Sequence, residues 1–351
     1  MARVRIAVCG AGLIGRAHIE RVLSAPDCAL AGVADPTPEA AAHCREVGAP
    51  HFPDLAALLD SAGAGGVRPD GVIVATPNVL HVPQALECIA RGLPVLVEKP
   101  IAETVDGALA IAAAAEAAKV AVLVGHHRRH SPILAAARAH VGAGRLGRLV
   151  TVSASTTFLK PDGYFDMAWR RQPGGGPVLI NLIHDIDDLR FVCGEIASVQ
   201  AVASSAVRGF AVEDTAAVLL RFAGGALGTM TLSDTAAAPW SWELTSGENP
   251  AYPRQAEDCY LIAGTEGALA VPSLRTWRYG AARGWNAPLE AGRLAVEEAD
   301  PLVRQLAHFA AVVRGEAVPL IDAREGARTL AATYAVHQAS ASGQAVVLAA
   351  S

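Results

Sequence analysis

Short apolar runs alternate with longer amphipathic stretches through the first 125 residues of the chain. The apolar runs have the length of buried strands, and the stretches between them have the spacing of helices. The predicted strands cover residues 4–8, 30–34, 71–75, 95–97 and 120–125, and the predicted helices cover residues 16–23, 38–47, 81–91 and 104–119. Alternating strands and helices are typical of a doubly wound α/β domain with a parallel sheet, which we place at residues 1–125.

The pattern changes in residues 126–351, where strands follow one another with fewer helices between them. Runs separated by Gly-rich turns predict a meander of strands. The predicted strands cover residues 149–157, 199–204, 216–222 and 226–233, followed by a hairpin at 260–269, helices at 301–314 and 323–340, and a short strand at 345–348. This order indicates a second domain of the α+β class.

A glycine-rich turn connects the first predicted strand to the first predicted helix. It reads G-x-G-x-x-G, with Leu13 and Ile14 before the last glycine, and its glycines are Gly10, Gly12 and Gly15. The first glycine permits a tight turn, the second lets the main chain approach a pyrophosphate, and the third lets the helix pack closely on the strand. Asp35 ends the second strand, where a carboxylate binds the ribose hydroxyls of adenosine and repels a 2′-phosphate. The turn therefore predicts a dinucleotide cofactor, with NAD favoured over NADP.

Polar residues end two further strands of the predicted parallel sheet. They are Thr76, Pro77 and Asn78 after one strand and Glu98, Lys99 and Pro100 after another. The ligand crevice of such a sheet lies outside the carboxyl ends of its strands, so we expect Lys99 to extend its ammonium group toward a bound ligand. His81 begins the next helix and either packs against its neighbours or contacts the cofactor. These residues are the expected cofactor-binding edge, and a cis Lys99–Pro100 bond is possible there.

The composition is that of an ordinary globular protein with a mildly acidic balance. The chain has 351 residues, 52% of them hydrophobic and 18% charged, and a net charge of −5. It has no basic tract, which argues against nucleic-acid binding. The longest apolar run, residues 108–124, is interrupted by Glu116 and Lys119, which favours a helix followed by a strand over a membrane span. Scattered cysteines and a first strand that is too short for a signal peptide predict a cytoplasmic protein.

Histidines and arginines crowd residues 125–130, directly after the last strand of the first domain. The fixed charges of Arg128 and Arg129 disfavour a dication, so we expect no bound metal. If the strand continues through this segment, His126 and Arg128 share one face, while His127 and Arg129 share the other. Either pair could face a substrate, and His126 is the candidate that we carry forward.

Two segments of the second domain carry polar groups suited to a substrate. The loop at residues 160–171 is cationic and aromatic, a composition that can orient a carboxylate or a ring of hydroxyls. Its candidate substrate-binding residues are Lys160, Tyr164, Trp169 and Arg170. After a Gly-Gly-Gly-Pro turn, a predicted helix places positions 180, 184 and 188 on one face. His184 is the candidate for proton transfer on that face, because histidine ionises near neutral pH.

Together these motifs resemble the Gfo/Idh/MocA family, named after glucose-fructose oxidoreductase and inositol dehydrogenase. The matching residues are Gly10-x-Gly12-x-x-Gly15, Ala75-Thr76-Pro77-Asn78 with His81, Gly92-x-x-Val95-x-x-Glu98-Lys99-Pro100, a strand leading into Arg128-Arg129, and the Gly-rich turn and helix that carry His184. The resemblance implies a Rossmann NAD-binding domain and a second domain with an open, mainly antiparallel sheet. That sheet is expected to carry the substrate site and to join subunits into a homodimer or homotetramer, while the C-terminal helix packs back toward the first domain.

The resemblance also assigns roles to individual side chains. It implies that Lys99 lies beside the nicotinamide and the substrate hydroxyl, that His184 exchanges the hydroxyl proton, and that Arg129 is buried and structural. One position departs from the family pattern, because many members carry an aspartate four residues before the histidine and this chain has Ile180. Asn181 can still form hydrogen bonds at the site, but a neutral amide does not stabilise an imidazolium as a carboxylate does.

We therefore predict an NAD-dependent dehydrogenase that oxidises a secondary alcohol of a sugar, cyclitol or sugar acid, or reduces the matching ketone. Lys99 would polarise the oxygen and His184 would shuttle the proton. One alternative is an enzyme that keeps NAD bound and uses transient oxidation to eliminate a glycosidic bond. Another is a non-catalytic, NAD-responsive regulator. The presence of both Lys99 and His184 weighs against a regulator, whereas Ile180 weighs for it.

Overall fold

The computed structural model describes residues 2–61 and 68–349, and its contacts divide the chain into two compact units. The first unit comprises Met1–His127 and Leu302–Leu330, and the second comprises Arg128–Pro301 and Ala331–Ser351. The C-terminal part of the chain therefore contributes to both units.

The first unit is built on a parallel sheet, as the alternating pattern predicts. Its strands are β1 (Val4–Cys9), β2 (Cys28–Ala34), β3 (His51–Phe52), β4 (Gly71–Val74), β5 (Val95–Val97) and β6 (Val122–Val124), and its helices up to that point are α1 (Leu13–Ser24), α2 (Pro38–Val47), α3 (Leu55–Ser61), α4 (His81–Ala90) and α5 (Val105–Ala118), with a short 3-10 helix at Asn78–Leu80. The six strands are parallel and lie in the order β3-β2-β1-β4-β5-β6. This arrangement confirms the predicted Rossmann-type fold class.

Local capping groups set the helix ends in this unit. The hydroxyl of Thr37 accepts a hydrogen bond from the main-chain N of Ala40 at 3.3 Å, and Gly48 follows α2 with a φ of +69°. Thr104 caps α5 in the same way through the main-chain N of Gly107. A threonine before a helix and a glycine after it are sequence signals for its ends, and the prediction for residues 38–47 is confirmed at both.

The second unit begins with a helix and a long strand and then alternates strands with short helical turns. Its elements are α6 (Pro132–Gly142), β7 (Leu149–Thr157), two 3-10 helices (Asp162–Asp166 and Ala168–Arg171), a π-helix (Val178–Leu182), α7 (Ile183–Cys193), β8 (Ile196–Ser204), β9 (Thr215–Phe222), β10 (Leu227–Ser233), α8 (Trp242–Thr245), β11 (Tyr260–Gly264), β12 (Gly267–Val271), β13 (Arg275–Tyr279) and β14 (Leu289–Arg293). The C-terminal part of the chain, which is divided between the two units, forms α9 (Pro301–Val313), α10 (Ala323–Ser342) and β15 (Val346–Val347).

A nine-stranded sheet in the order β14-β13-β12-β11-β7-β10-β9-β8-β15 forms the second unit. Its neighbours pair antiparallel except for β7 and β10, which are parallel. Along β9, the side chains of Val218 and Leu220 are buried while Leu219 and Arg221 are exposed, so one face of the sheet supports the core. The prediction of an open, mainly antiparallel sheet is confirmed.

The segment Leu302–Leu330 extends the core of the first unit. A β-carbon on Gly71 of β4 would lie 2.8 Å from Val313, and Phe309 packs at the same place. The main-chain N of Val124 also donates to the carbonyl oxygen of Ile321 at 2.9 Å. None of the described helices combines the length and the apolar character that crossing a bilayer requires.

The condition under which His126 and Arg128 would share one face, a strand through residues 125–130, is not met. β6 ends at Val124, and His127–His130 form a 3-10 helix. Arg128 and Arg129 are both buried, and both pair with carboxylates of α7. A strand would direct the two guanidinium groups to opposite faces, whereas a tight turn lets both reach one helix.

Candidate active site

The glycine-rich turn between β1 and α1 leaves open space at its second glycine. Gly10 has a φ of +93° and packs on Ala75, and a β-carbon on Gly15 would overlap the carbonyl oxygen of Gly10. A β-carbon on Gly12 would have no protein atom within 4 Å. Gly12 also provides no side-chain cap for α1, whose first residue, Leu13, is 92% exposed. This open space and uncapped helix N-terminus fit a dinucleotide pyrophosphate.

Asp35 is held in place at the end of β2 by main-chain and side-chain donors. Its Oδ2 accepts a hydrogen bond from the main-chain N of Ala11 at 2.8 Å, and its Oδ1 accepts from the N and the hydroxyl of Thr37 at 2.9 and 2.6 Å. Burial alone raises the pKa of Asp35, but these hydrogen bonds outweigh it and the pKa is lowered. The carboxylate is therefore ionised at neutral pH and suited to binding ribose hydroxyls.

His81 connects the ends of two strands of the same sheet. Its Nδ1 lies 2.8 Å from the carbonyl oxygen of Pro100, and its Nε2 lies 2.9 Å from that of Thr76. The ring is buried, which lowers its pKa although both carbonyl oxygens oppose that shift. Both ring nitrogens thus face main-chain oxygens, and His81 fixes the strand end at which Pro77 is exposed and Asn78 is half-buried.

Glu98 lies buried directly before Lys99, at the end of β5. Its Oε1 lies 2.8 Å from Nε2 of His18 on α1, and its Oε2 accepts a hydrogen bond from the main-chain N of Lys99 at 3.1 Å. Burial raises the pKa of Glu98, but the hydrogen bond from His18 and nearby positive charges outweigh it and the pKa is lowered. A β-carbon on Gly125 would lie 2.8 Å from the Glu98 carboxyl carbon, so only glycine fits there. Lys99 is half-buried, and the Lys99–Pro100 peptide bond is cis.

His126 lies in the first unit, directly after β6, and its side chain is buried. Its main-chain N donates to the carbonyl oxygen of Val124 at 2.8 Å. Among the candidate substrate contacts, His126 and Lys99 thus belong to the first unit, and the others belong to the second.

The helix that carries His184 begins with a π-helical turn, Val178–Leu182, before α7. The carboxylate of Glu213 accepts a hydrogen bond from the first N–H of this turn at 2.9 Å. The predicted α-helical spacing from Ile180 to His184 is wrong, because Ile180 lies in the π-helical turn, which has more residues per turn. His184 is 8% exposed, and π-helical turns of this kind are frequent at functional sites.

Lys160 holds Asn181 in a fixed orientation. The ammonium group donates to Oδ1 of Asn181 at 2.8 Å, pairs with Asp234 at 3.2 Å and lies 4.6 Å from the centre of the Tyr164 ring. Burial lowers the pKa of Lys160, while the Asp234 carboxylate opposes that shift. An ammonium group can only donate, so the Asn181 oxygen must face Lys160 and its NH₂ group is left as the donor for a ligand. These two polar contacts engage two of the three ammonium donors, and the contact between Lys160 and a substrate stays a prediction.

Arg170 lies over the ring of Tyr164 in the loop that follows β7. Its guanidinium carbon is 3.8 Å from the Tyr164 ring centre and 5.4 Å from that of Trp169, and its Nη1 donates to the carbonyl oxygen of Tyr164 at 2.7 Å. Trp169 is 45% exposed, whereas Tyr164 and Arg170 are half-buried. The loop therefore presents a stacked, oriented guanidinium group.

Arg128 lies at the centre of a buried charge cluster next to α7. Its Nη1 is 3.2 Å from Oδ1 of Asp185 and 3.1 Å from Oδ2 of Asp188, and its Nη2 pairs with Glu243. The hydroxyl of Tyr260 contacts the same two aspartate oxygens. A hydroxyl has one proton to donate, so either the two oxygens share it or a carboxyl group supplies a second proton. Burial raises the pKa of Asp185 and of Asp188 against the opposing charge of Arg128, which agrees with a proton shared by the pair.

Several residues that build these arrangements are absent from the sequence predictions. They are His18, Arg208, Glu213, Asp234, Glu243 and Tyr260. Each lies far along the chain from the group it holds, and no local pattern marks it. One signal was available: three aspartates in the largely apolar α7 require buried cations, and the adjacent Arg128 and Arg129 supply them.

Two family models match the chain. One, described as the Gfo/Idh/MocA oxidoreductase family with an NAD-binding Rossmann fold, matches residues 4–126. The other, described as the Gfo/Idh/MocA C-terminal domain, matches residues 134–270.

Named proteins and a solved structure are similar over most of the chain. It is 31% identical to 1,5-anhydro-D-fructose reductase of Ensifer adhaerens over 278 residues, which are 79% of each chain. It is 30% identical to inositol 2-dehydrogenase of Rubrobacter xylanophilus over 345 residues, which are 93% of this chain and 88% of that one. The structure of the WlbA dehydrogenase from Bordetella pertussis with NADH and UDP-GlcNAcA covers 99% of this chain and 100% of its own, at 25% identity and a TM-score of 0.78.

Proposed function

The chain belongs to the Gfo/Idh/MocA family of NAD-binding oxidoreductases, and from this premise we propose that it is an NAD-dependent dehydrogenase. The proposed reaction oxidises a secondary alcohol of a sugar, cyclitol or sugar acid, or reduces the matching ketone. The names of the two relatives, which denote an inositol and an anhydro sugar, support this substrate class.

The observation that carries the proposal is the set of cofactor-fitting groups at the carboxyl ends of strands in the first unit. The open space at Gly12, the ionised Asp35 and Lys99 follow β1, β2 and β5 of one parallel sheet. The main chain around Gly12 would hold the pyrophosphate, and Asp35 would hold the adenosine ribose. When bound, NAD supplies the nicotinamide that accepts a hydride. The charge of Asp35 would repel a 2′-phosphate, which supports NAD over NADP.

We assign Lys99 and His184 as the catalytic residues. Oxidation removes a hydride from the substrate carbon and a proton from its hydroxyl. The Lys99 ammonium group would donate a hydrogen bond to that oxygen as it gains negative charge, and His184 would accept the proton. The buried carboxylate of Glu98 is ionised and places a negative charge directly before Lys99 in the chain. Asn181 would contact the substrate through the NH₂ group that Lys160 orients.

The test is NADH formation by the purified protein with a panel of sugars, inositols and sugar acids, after calorimetry has measured NAD and NADP binding. With a substrate in hand, Lys99→Gln should lower kcat by about 10² to 10⁴-fold, because general acid–base groups contribute that much. Lys119→Gln is the matched control, since Lys119 is exposed at the end of α5. Unchanged turnover in Lys99→Gln, or a protein that binds neither cofactor, would refute the assignment.

The same assays separate the two other functions. Cleavage of a glycoside without net NADH would identify the enzyme that retains NAD. Tight NAD binding without turnover of any panel compound would favour the regulator.

A further inference from the structure

The guanidinium group of Arg170 is fixed by its neighbours but forms no ion pair with a carboxylate of the described residues. Its Nη1 is bound to the carbonyl oxygen of Tyr164, and its planar group stacks on that ring at 3.8 Å. Within residues 2–61 and 68–349, no carboxylate forms an ion pair with Arg170, and its buried Nε has no hydrogen-bond partner. A guanidinium group that is fixed and half-buried but uncompensated is suited to binding an external anion.

The charges around Arg170 do not neutralise it. Lys160 and Arg208 share the single buried carboxylate of Asp234. Two further carboxylates lie near Arg208: Asp162, 3.7 Å away and fully exposed, where solvent screens its charge, and Asp214, which accepts a hydrogen bond from the main-chain N of Arg208 at 2.9 Å. Residues 160–171 contain three cations (Lys160, Arg170 and Arg171) and two exposed carboxylates (Asp162 and Asp166), so the loop keeps one excess positive charge, which favours an oxyanion over a neutral ring of hydroxyls.

Arg170 is connected by direct contacts to the amide that faces the proposed substrate. The ring of Tyr164 contacts both the guanidinium group of Arg170 and the ammonium group of Lys160, and Lys160 holds Asn181. A β-carbon on Gly175, just before the π-helical turn, would lie 2.8 Å from the Cα of Arg170. Arg170 and Asn181 thus belong to one packed group of residues in the second unit.

We propose that Arg170 binds an oxyanion carried by the substrate, so that the substrate is an acidic sugar and not a neutral sugar or cyclitol. The shared chemistry is a carboxylate or a phosphate group accepting paired hydrogen bonds from the guanidinium fork. This inference rests on the proposed dehydrogenase function and narrows it to one of its substrate classes.

The experiment compares three groups of compounds: hexuronates and aldonates, hexose phosphates, and neutral hexoses with inositols. Each is tested for NADH formation and, by calorimetry with the protein loaded with NADH, for binding. The wild type should prefer an acidic group, and Arg170→Met should lower its kcat/KM or its affinity by about 10 to 100-fold, the value of a charge-assisted hydrogen bond. Arg171→Met, at the exposed neighbour, should change either value less than about twofold. Arg170→Lys should lie between, because it keeps the charge and loses the fork.

Comparing the hexuronates and aldonates with the hexose phosphates identifies whether the bound oxyanion is a carboxylate or a phosphate. Three outcomes would overturn the anion site while leaving the dehydrogenase function standing. They are equal or better use of neutral compounds, binding of no acidic compound by the NADH-loaded protein, and equal losses in Arg170→Met and Arg171→Met. Failure of the protein to bind NADH would instead overturn the proposed function. Far-UV circular dichroism and the unfolding midpoint establish that each variant is folded.

Discussion

The candidate site of the first unit is built largely from main-chain groups, whereas that of the second is built from side chains that meet across long stretches of sequence. At Gly12 the main chain itself forms the site, and Asp35 is held by the main-chain N–H groups of Ala11 and Thr37. Lys160 and Asn181 meet over 21 positions, and Arg128 meets its carboxylates over 57 positions or more. A main-chain site depends on which residues permit a backbone shape, whereas a side-chain network depends on the whole fold.

This difference decides how each region responds to substitution. A main-chain site is lost when a β-carbon enters it, even if the fold is unchanged. When one residue of a buried side-chain network is replaced, the protonation or the hydrogen bonds of the other residues change. The effects of two substitutions in the network are therefore not additive. The following substitutions test the contrast, beginning with the largest expected effect.

The two glycines of the first turn should separate folding from cofactor binding. Gly15→Ala places a methyl group on the carbonyl oxygen of Gly10 and should destabilise the first unit by about 3 kcal/mol or more. Gly12→Ala meets no protein atom, so the free energy of unfolding should stay within about 0.5 kcal/mol of wild type. Its dissociation constant for NADH should nevertheless rise at least about tenfold, since the methyl group occupies the approach of the pyrophosphate.

Urea unfolding and calorimetry measure both quantities. Wild-type NADH affinity in Gly12→Ala would show that the cofactor does not approach the main chain there. Wild-type stability in Gly15→Ala would remove the distinction between the two glycines.

The same contrast explains how far the sequence predicts the molecule. The parallel sheet, the ends of α2 and the glycine turn follow from local requirements, such as the positive φ of Gly10 and the capping hydroxyl of Thr37. The second sheet was predictable as a meander because its strands are local, although the parallel pairing of β7 with β10 joins distant segments.

The second site was predictable only in its residue types. Lys160 and Asn181 were both candidates, but their mutual hydrogen bond depends on the packing of a loop against a helix. The π-helical turn also has no signature in the apolar pattern, because Ile180 fits an α-helix equally well. Long-range pairing therefore limits what periodicity can reveal.

The proton in the Arg128 cluster should give the second unit a pH-dependent stability. A carboxyl group whose pKa is raised by folding stabilises the protein fully below its unfolded pKa of about 4, and this contribution is lost as pH rises through the folded pKa. The slope is about 1.4 kcal/mol per pH unit for one proton. Asp188→Asn is neutral at every pH and removes the slope, so its stability relative to wild type should rise with pH.

The measurement is the free energy of urea unfolding at intervals between about pH 5 and pH 8. Asp166→Asn is the control, because Asp166 is exposed in the 3-10 helix Asp162–Asp166 and lies outside the cluster; its difference from wild type should stay within about 0.5 kcal/mol over this range. A constant difference for Asp188→Asn as well would mean that the cluster holds no extra proton at neutral pH.

The smallest expected effect concerns the link between Lys160 and Asn181. If Lys160 acts through the amide, Lys160→Met and Asn181→Leu should not add: the double variant should be more stable than the sum of the single losses predicts, by about 1 kcal/mol. Substitution of Asn181 together with the exposed Lys119 of the first unit should be additive within about 0.5 kcal/mol. Additive losses for Lys160 and Asn181 would mean that Asp234 and the Tyr164 ring account for the buried ammonium group by themselves. The second site would then be a set of independent contacts, and the contrast with the main-chain site of the first unit would be one of location and not of cooperativity.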